Sequence, residues 1–113
     1  MQTTTIYVGL NDAETHAQKF DTSKYLTILK GVCHAYRVGF SVQLVNGGYF
    51  HEDGSYVEEN TLSLTLMDVP EDTVRSIAED LCAFFRQESV LVSVSRSEVY
   101  FVKERLKDDS SEI

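Results

Sequence analysis

The chain turns from helix to strand within residues 84–92, which read Phe84-Phe85-Arg86-Gln87-Glu88-Ser89-Val90-Leu91-Val92. Apolar residues at helical spacing precede this stretch, and alternating valines follow it, without Gly or Pro between them. Three polar residues, Gln87 to Ser89, are thus wedged between two apolar segments. Because polar groups that lose water there need hydrogen-bond partners, we expect an ordered polar junction at this point.

The helix before the junction is predicted to begin at Pro70, with Glu71 and Asp72 in its first turn. Proline has no N–H to lose there, and acidic side chains favour the positive end of the helix dipole. Its apolar face consists of residues at helical spacing, namely Val74, Ile77, Ala78, Leu81, Cys82 and Phe85. The strand after the junction is predicted over residues 89–95.

The first part of the chain is predicted to form a strand followed by a helix. Residues 4–10 are rich in strand formers, and Asp21 to Ser23 offer caps for a helix. The apolar face of that helix is predicted from these residues: Tyr25, Leu29, Val32 or Cys33, and Tyr36.

The middle of the chain is predicted to be extended, with two turns. Residues 40–45 alternate as a half-buried strand, which the triplet Asn46 to Gly48 is expected to break before a short strand over residues 49–52. The pair Asp53-Gly54 predicts a hairpin, and residues 55–66 then form a strand whose leucines share one side.

The element order is therefore β-α-β-β-α-β, with an additional C-terminal strand expected over residues 99–102. This order is that of the α+β ferredoxin-like fold, in which two helices cover one face of an antiparallel sheet. We expect one such domain over residues 1–106 and a charged, flexible tail over residues 107–113.

Composition excludes several classes of protein. The sequence has no apolar run near the roughly 18 residues of a membrane helix and no signal-peptide pattern, so a cytoplasmic protein without membrane contact is expected. Its two cysteines, Cys33 and Cys82, do not form a standard zinc pattern and are interpreted as small buried side chains. No cofactor is predicted.

The acidic residues are concentrated in the middle of the chain, and the formal net charge is −8. Nine acids and one base, Arg75, lie between Glu52 and Asp80. Phosphate binding needs the opposite sign, so direct nucleic-acid binding is disfavoured. The acidic surface could serve solubility alone, or it could bind a protein partner with a basic surface.

Three blocks of the sequence resemble a bacterial domain family of unknown function. They are Ile6 to Leu10, then Gly48 to Gly54 with Glu59, and finally Phe85 to Leu91, with its Phe-x-Gln-Glu-Ser-Val motif. Similar short acidic proteins also occur on bacterial mobile elements and phages. The resemblance implies a bacterial source and a ferredoxin-like fold, and it brings no known activity.

Two sets of candidate site residues follow. A ligand pocket between the second helix and the last strand would be lined by Tyr7, Glu59, Gln87, Glu88 and Ser89. A partner-binding surface around the hairpin would consist of Tyr49, Glu52, Asp53, Tyr56 and Glu58. His51 and Asp53 are weak candidates for metal ligands, because hairpin tips are commonly polar through hydration alone. Gln87 and Ser89 also have a structural interpretation, since they could satisfy the helix end and the strand start.

The main functional hypothesis is a small, non-enzymatic bacterial or mobile-element protein that acts by protein binding. Its sharpest form is an inhibitor of a basic nucleic-acid enzyme, of the anti-CRISPR or another anti-defence type. The alternative is a small-molecule-binding protein or enzyme that uses the pocket at the helix–strand junction. Tyrosines are expected on the open sheet face, and they predict a homodimer formed through that face or through an edge strand.

Overall fold

A computed structural model describes residues 1–50 and 52–105 of the chain. Their regular elements are, in order, β1 (Gln2–Gly9), α1 (Thr22–Ala35), β2 (Ser41–Phe50), β3 (Tyr56–Met67), α2 (Glu71–Phe84) and β4 (Leu91–Arg96). Of the helices in this part of the chain, none has the length and apolar character to cross a membrane.

The four strands form one antiparallel sheet in the order β2-β3-β1-β4. The central strand β1 pairs with β3 on one side and with β4 on the other, so that Ile6 is opposite both Leu64 and Val92. Strands β2 and β4 are the two edges. This topology confirms the predicted α+β ferredoxin-like fold.

The core lies between the helices and one face of the sheet. Alternate residues of β1 and β3 point into it, and both predicted helical faces line it, as the alternation and helical spacing require. Its largest fully buried side chains are Ile6, Leu10, Leu29, Leu62, Leu64, Leu66, Ile77 and Leu81. The two helices are also joined by a polar contact, since the Tyr36 hydroxyl donates a hydrogen bond to Asp80 Oδ2 at 2.8 Å.

Both cysteines are free thiols. Burial raises the pKa of Cys33 to about 11, so this thiol is inert at neutral pH. Cys82 is only partly buried, and its Sγ donates to the Gln87 carbonyl at 3.0 Å. The prediction of a small buried side chain is confirmed for Cys33, whereas Cys82 is only half-buried.

The expected break at Asn46 to Gly48 is wrong. Strand β2 runs through it without interruption, with Gly47 opposite Glu59 and Gly48 opposite Glu58. The side chain of Tyr56 lies over Gly48, where a Cβ would collide with its hydroxyl. Gly48 therefore serves close packing across a strand pair rather than a turn, whereas an added Cβ at Gly47 would meet open space.

The turn at Asp53-Gly54 is present. Gly54 has a φ of +88°, which glycine adopts without a steric penalty. Asp53 Oδ1 accepts hydrogen bonds from the backbone N–H and the hydroxyl of Ser55, at 2.9 and 2.6 Å. Neighbouring His51, a weak candidate for a metal ligand, lies outside the described residues.

The expected strand over residues 99–102 is also wrong, because these residues form neither helix nor strand. Residues 97–105 contain no turn, so within the described residues no hairpin brings this segment beside the sheet. The predicted tail over residues 107–113 and the last residue of the predicted domain, Leu106, lie outside the described residues.

Candidate functional site

The open face of the sheet carries an acidic side chain near the C-terminal end of β1. Glu59 lies on β3, two residues before Thr61, which pairs with Gly9. Its carboxylate crosses over Gly9, where an added Cβ would come within 2.5–2.6 Å of the carboxylate atoms. Glu59 Oε2 accepts the Asn11 backbone N–H at 3.0 Å. The glycine thus makes room for a carboxylate held in one position.

The loop after β1 is ordered by a second carboxylate. Asp12 is buried, and its Oδ1 accepts the backbone N–H groups of Glu14 at 2.8 Å and of Thr15 at 3.3 Å. The hydrogen bond from Glu14, then that from Thr15 and the nearby Arg86 charge, lower the pKa of Asp12 below 3.8 against the opposing effect of desolvation. Asp12 is therefore an anion that shapes the loop.

The end of α2 binds this loop from the other side. Arg86 adopts a φ of +54°, and its Nε lies 2.8 Å from Asp12 Oδ2. Its carbonyl accepts the Ala13 N–H at 3.0 Å. Arg86 also approaches Glu14, with 3.4 Å between Nη2 and Oε2. A helix end and a distant loop are thus joined by an ion pair and a backbone hydrogen bond.

Gln87 completes the connection between the junction and the loop. Its Nε2 donates to the Asn11 carbonyl at 2.6 Å and to the Phe85 carbonyl at 3.3 Å. The first bond orders the residue whose N–H holds Glu59, and the second satisfies a carbonyl at the helix end. Gln87 therefore has the hydrogen-bond partners that the sequence predicts for the junction and fits its structural interpretation, whereas Glu88 and Ser89 are exposed.

These elements enclose a cavity of about 300 Å³. It is lined by Asn11, Asp12, Ala13, His16, Tyr49, Val57, Glu59, Gln87, Glu88 and Ser89. The negative charge of Asp12 is balanced by its ion pair with Arg86. The carboxylates of Glu59 and Glu88 form no ion pair with any described residue, so the cavity is negatively charged.

Four of the five predicted pocket residues line this cavity: Glu59, Gln87, Glu88 and Ser89. Tyr7 does not line it; it lies on the open sheet face between Ser63 and Leu91 and is 38% exposed. The sequence reasoning missed Asn11, Asp12, His16 and Arg86. A usable signal for Asp12 was the loop Asn11-Asp12-Ala13-Glu14-Thr15, since Asp commonly accepts N–H groups two and three residues ahead.

The predicted partner-binding residues have a different setting. Tyr49, Glu52, Asp53, Tyr56 and Glu58 are all exposed on the β2–β3 hairpin, and Tyr49 is the member that also faces the cavity. Among the described residues, no group of three or more His, Cys, Asp or Glu side chains could hold a metal ion.

The cavity lies at one end of the sheet in a ferredoxin-like α+β domain. Among solved structures, the chain is similar to a phage SAM lyase in complex with S-methyl-5'-thioadenosine, with 19% identity and a TM-score of 0.63, covering 83% of this chain and 79% of that chain. It is also similar to a phage SAM lyase in the apo state, with 18% identity and a TM-score of 0.65, covering 95% and 92%. No protein-family model and no curated protein matches the sequence.

These similarities correct the main functional hypothesis. A non-enzymatic, protein-binding inhibitor of the anti-CRISPR or anti-defence type is contradicted, because the similar structures are those of an enzyme, one of them with a small molecule bound. The acidic residues between Glu52 and Asp80 misled the interpretation, since net charge speaks to solubility and association rather than to fold or chemistry. The alternative, a small-molecule-binding protein or enzyme, agrees better with these findings. The bacterial family of unknown function is not matched by any family model.

Proposed function

We propose that this chain is a small-molecule-binding enzyme that takes SAM (S-adenosylmethionine) or a related sulfonium nucleoside in the cavity beside Glu59. The observation that carries the proposal is the Glu59 carboxylate, held over Gly9 by the Asn11 N–H in a negatively charged cavity. The similarity to SAM lyase structures supports the choice of ligand. A phage or mobile-element origin and a cytoplasmic location belong to the same proposal.

Charge supports a cationic ligand. SAM carries a sulfonium and an α-ammonium group, whereas Glu59 and Glu88 supply negative charge that no described cation compensates. A carboxylate that accepts hydrogen bonds from an ammonium group contributes more than a neutral acceptor would.

The volume of about 300 Å³ is at the lower end of ligand cavities. Tyr49 adds an aromatic surface at the rim, suited to stacking or to contact with a cation.

The chemistry of the reaction indicates which group the carboxylates should contact. Release of S-methyl-5'-thioadenosine from SAM breaks the bond between sulfur and the amino-acid chain, and the bonding electron pair stays on sulfur. The carbon that loses this pair forms a new bond, either to the carboxylate oxygen of the same amino-acid chain, which closes a lactone, or to its neighbouring carbon, which gives up a proton. The sulfonium charge therefore disappears, and a carboxylate beside sulfur would stabilise the substrate more than the transition state. The α-ammonium group keeps its charge throughout. We accordingly assign Glu59 to the ammonium group or a ribose hydroxyl, not to the sulfonium.

The direct experiment is incubation of the purified chain with SAM, followed by chromatographic detection of S-methyl-5'-thioadenosine. Binding of S-methyl-5'-thioadenosine itself is measured in parallel by calorimetry. Product formation above the spontaneous rate, or saturable binding, is the expected result. Absence of both at millimolar ligand would contradict the proposal.

Glu59→Gln tests the site within that assay. The side chain keeps its size and loses its charge, so we expect KM for SAM to rise about 10- to 100-fold with a smaller change in kcat. Glu58→Gln is the matched control, because Glu58 is the exposed neighbour on the same strand and does not line the cavity. Equal KM values for the two variants would show that Glu59 does not contact the ligand.

A further inference from the structure

Charge is segregated between the two helices of this acidic chain. The sequence has no Asp or Glu between residues 22 and 51, although its formal net charge is −8. The same stretch contains Lys24, Lys30 and Arg37. The first turn of α2 has two acids, whereas the first turn of α1 has none. Helix α1 is therefore the basic element of an otherwise acidic protein.

Three basic side chains meet at the C-terminal end of α1. Lys30 and His34 are four residues apart and share one face of the helix, and Arg37 follows within the next turn. All three are exposed and border an open depression of about 850 Å³, which we call the basic depression. Its complete lining is Lys30, His34, Ala35, Arg37, Val38 and Phe40.

The end of the helix holds Arg37 in a defined place. Arg37 has a φ of 55°, and its N–H donates to the His34 carbonyl at 3.0 Å. The next N–H, that of Val38, donates to the Cys33 carbonyl at 3.2 Å. These bonds occupy two of the helix-end carbonyls whose negative ends would otherwise repel an anion.

The three bases are not neutralised by the protein itself. Within residues 1–50 and 52–105, no acidic side chain lies at ion-pair distance from Lys30, His34 or Arg37. The carboxylate of Asp80 on α2 instead accepts the hydroxyl of Tyr36, the neighbour of Arg37, at 2.8 Å. The positive charge of the basic depression is thus available to a bound anion.

The basic depression also has an apolar surface. Val38 packs against the core, and Phe40 is 37% exposed. Bases alone at a helix C-terminus would be explained by the helix dipole. An aromatic ring beside them offers in addition a surface on which a flat ring can stack. This combination fits a ligand that has both an anionic group and a planar ring.

A phosphate suits these donors better than a carboxylate does. A phosphate monoester carries up to two negative charges and three acceptor oxygens. The guanidinium of Arg37 can bind two of these oxygens, and the ammonium of Lys30 supplies a point charge. The imidazole of His34 donates an N–H in either protonation state. A carboxylate has two oxygens and one charge, so it would leave one of the three bases without a partner.

We propose that the basic depression binds a phosphate monoester of a planar heteroaromatic compound, that is, a ligand of the nucleotide class. Arg37, Lys30 and His34 hold the phosphate, and Phe40 stacks on the ring. This site goes beyond the proposed SAM activity. It shares no lining residue with the cavity beside Glu59.

The two sites also lie at opposite ends of α1. Tyr25, near the start of the helix, contacts the Phe85 ring beside the junction, with 5.1 Å between the ring centroids. The basic depression is formed instead by the end of the helix. Binding at one site can therefore be measured without occupying the other.

Titration of the purified chain with three compounds, followed by amide NMR signals, tests the proposal. The compounds are uridine 5'-monophosphate, uridine and glucose 6-phosphate. Adenine compounds are avoided because the cavity beside Glu59 is proposed to bind them. We expect uridine 5'-monophosphate to shift the signals of residues 34–40 saturably, uridine not to bind, and glucose 6-phosphate to bind more weakly.

The other patterns of binding would overturn the proposal. Equal binding of uridine would show that the phosphate is not recognised. Equal binding of glucose 6-phosphate would remove the role of Phe40 and with it the nucleotide class. Shifts confined to the cavity beside Glu59, or no saturable shift at millimolar phosphate ester, would show that the basic depression is not a site.

Charge variants identify the residues that carry binding. Arg37→Gln should weaken binding of uridine 5'-monophosphate at least about tenfold, because a charge-assisted, two-fold hydrogen bond is lost. Lys24→Gln is the matched control, since it removes one charge from the same helix outside the basic depression. The Nζ of Lys24 lies 3.6 Å from the centroid of the Phe20 ring. We expect this control to change affinity by less than about twofold.

Equal weakening by the two variants would show general attraction by charge and would overturn the site. A lower Tm for Arg37→Gln with unchanged affinity would show that the base only stabilises the helix end, and would overturn it as well. Glu59→Gln, which tests the SAM proposal, should leave binding of uridine 5'-monophosphate unchanged. Loss of binding in that variant would place the nucleotide in the cavity beside Glu59 and not in the basic depression.

Discussion

The two helices end in the same way, and only one of the two ends contributes to the candidate site. Each closes with an arginine in the left-handed conformation, Arg37 at a φ of 55° and Arg86 at 54°. In each, the next residue bonds back across the last turn: Val38 N–H to the Cys33 carbonyl, and Gln87 N–H to the Cys82 carbonyl. This is the Schellman arrangement, which usually has glycine where these arginines stand.

The side chains differ where the backbones agree. Arg86 pairs with buried Asp12, and its carbonyl holds Ala13, so this helix end is bound to the loop that positions Glu59. Arg37 is exposed and forms no ion pair within the described part of the chain. The backbone motif thus ends each helix, whereas the side chain of the arginine placed in it decides whether that end also organises the cavity beside Glu59.

Among substitutions at the contact between the end of α2 and the loop, Asp12→Asn is expected to have the largest effect on stability. The variant keeps the shape of the side chain but weakens three contacts, those to the N–H groups of Glu14 and Thr15 and that to Arg86. We expect the greatest fall in Tm of the series and a looser Asn11, and therefore weaker ligand binding at Glu59. Thermal unfolding and ligand titration measure the two effects. An unchanged Tm would show that Asp12 does not organise the loop.

The same carboxylate makes stability depend on pH. The pKa of Asp12 is lower in the folded chain than its ordinary value of 3.8. Its contribution is therefore complete above that value and is lost as pH falls through the lower, folded-state pKa. The difference in Tm between wild type and Asp12→Asn should shrink as pH is lowered from about 6 to about 3. A difference independent of pH would exclude the charge of Asp12 as its source.

Arg86→Gly should have an intermediate effect. Glycine relieves the left-handed conformation, but the ion pair with Asp12 is lost, and the arginine side chain is only about half exposed. We expect a net fall in Tm of roughly 5 °C and a measurable loss of ligand affinity. Arg86→Lys is the informative control, since it keeps the charge and the left-handed strain while removing the planar guanidinium. A rise in Tm for Arg86→Gly would mean that backbone strain outweighs the ion pair.

The fold could be predicted because its determinants repeat along the sequence. Alternation places Leu62, Leu64 and Leu66 on the core side of β3, and helical spacing identifies Leu29 and Ile77. The predictions were wrong where contacts between distant parts of the chain override a local sequence pattern. The pair Gly47-Gly48 suggested a turn, but both residues lie in an unbroken ladder with β3, and the Tyr56 ring explains the glycine at 48. The apolar residues 99–102 suggested a strand, but Ser97 bonds to Met1 and carries the chain onward.

The site was only half accessible from the sequence. Gln87 and Glu88 stood out because a polar triplet between apolar segments needs partners. The contacts between Asp12 and Arg86 and between Asn11 and Gln87 join positions far apart in the chain, and no periodicity encodes such pairs. A glycine at position 9 is visible in the sequence, but the need for it is not. Gly9 is needed because the carboxylate of Glu59 lies above it, and that contact forms only when β1 and β3 pair in this register.

The smallest effect should come from Arg37→Gly, and it should have the opposite sign. Glycine adopts the left-handed conformation without the penalty of a Cβ, and no described ion pair is lost, although the unfolded chain gains some entropy. We expect stabilisation of about 0.5 kcal/mol, seen as a small rise in the denaturation midpoint, with KM for SAM unchanged. Because Arg37 and Arg86 share one backbone geometry, opposite signs for their glycine variants would attribute the difference to the Arg86 side chain. Equal destabilisation at both ends would instead show that the arginines act in the same way, and the proposed link from α2 to the site would lose its support.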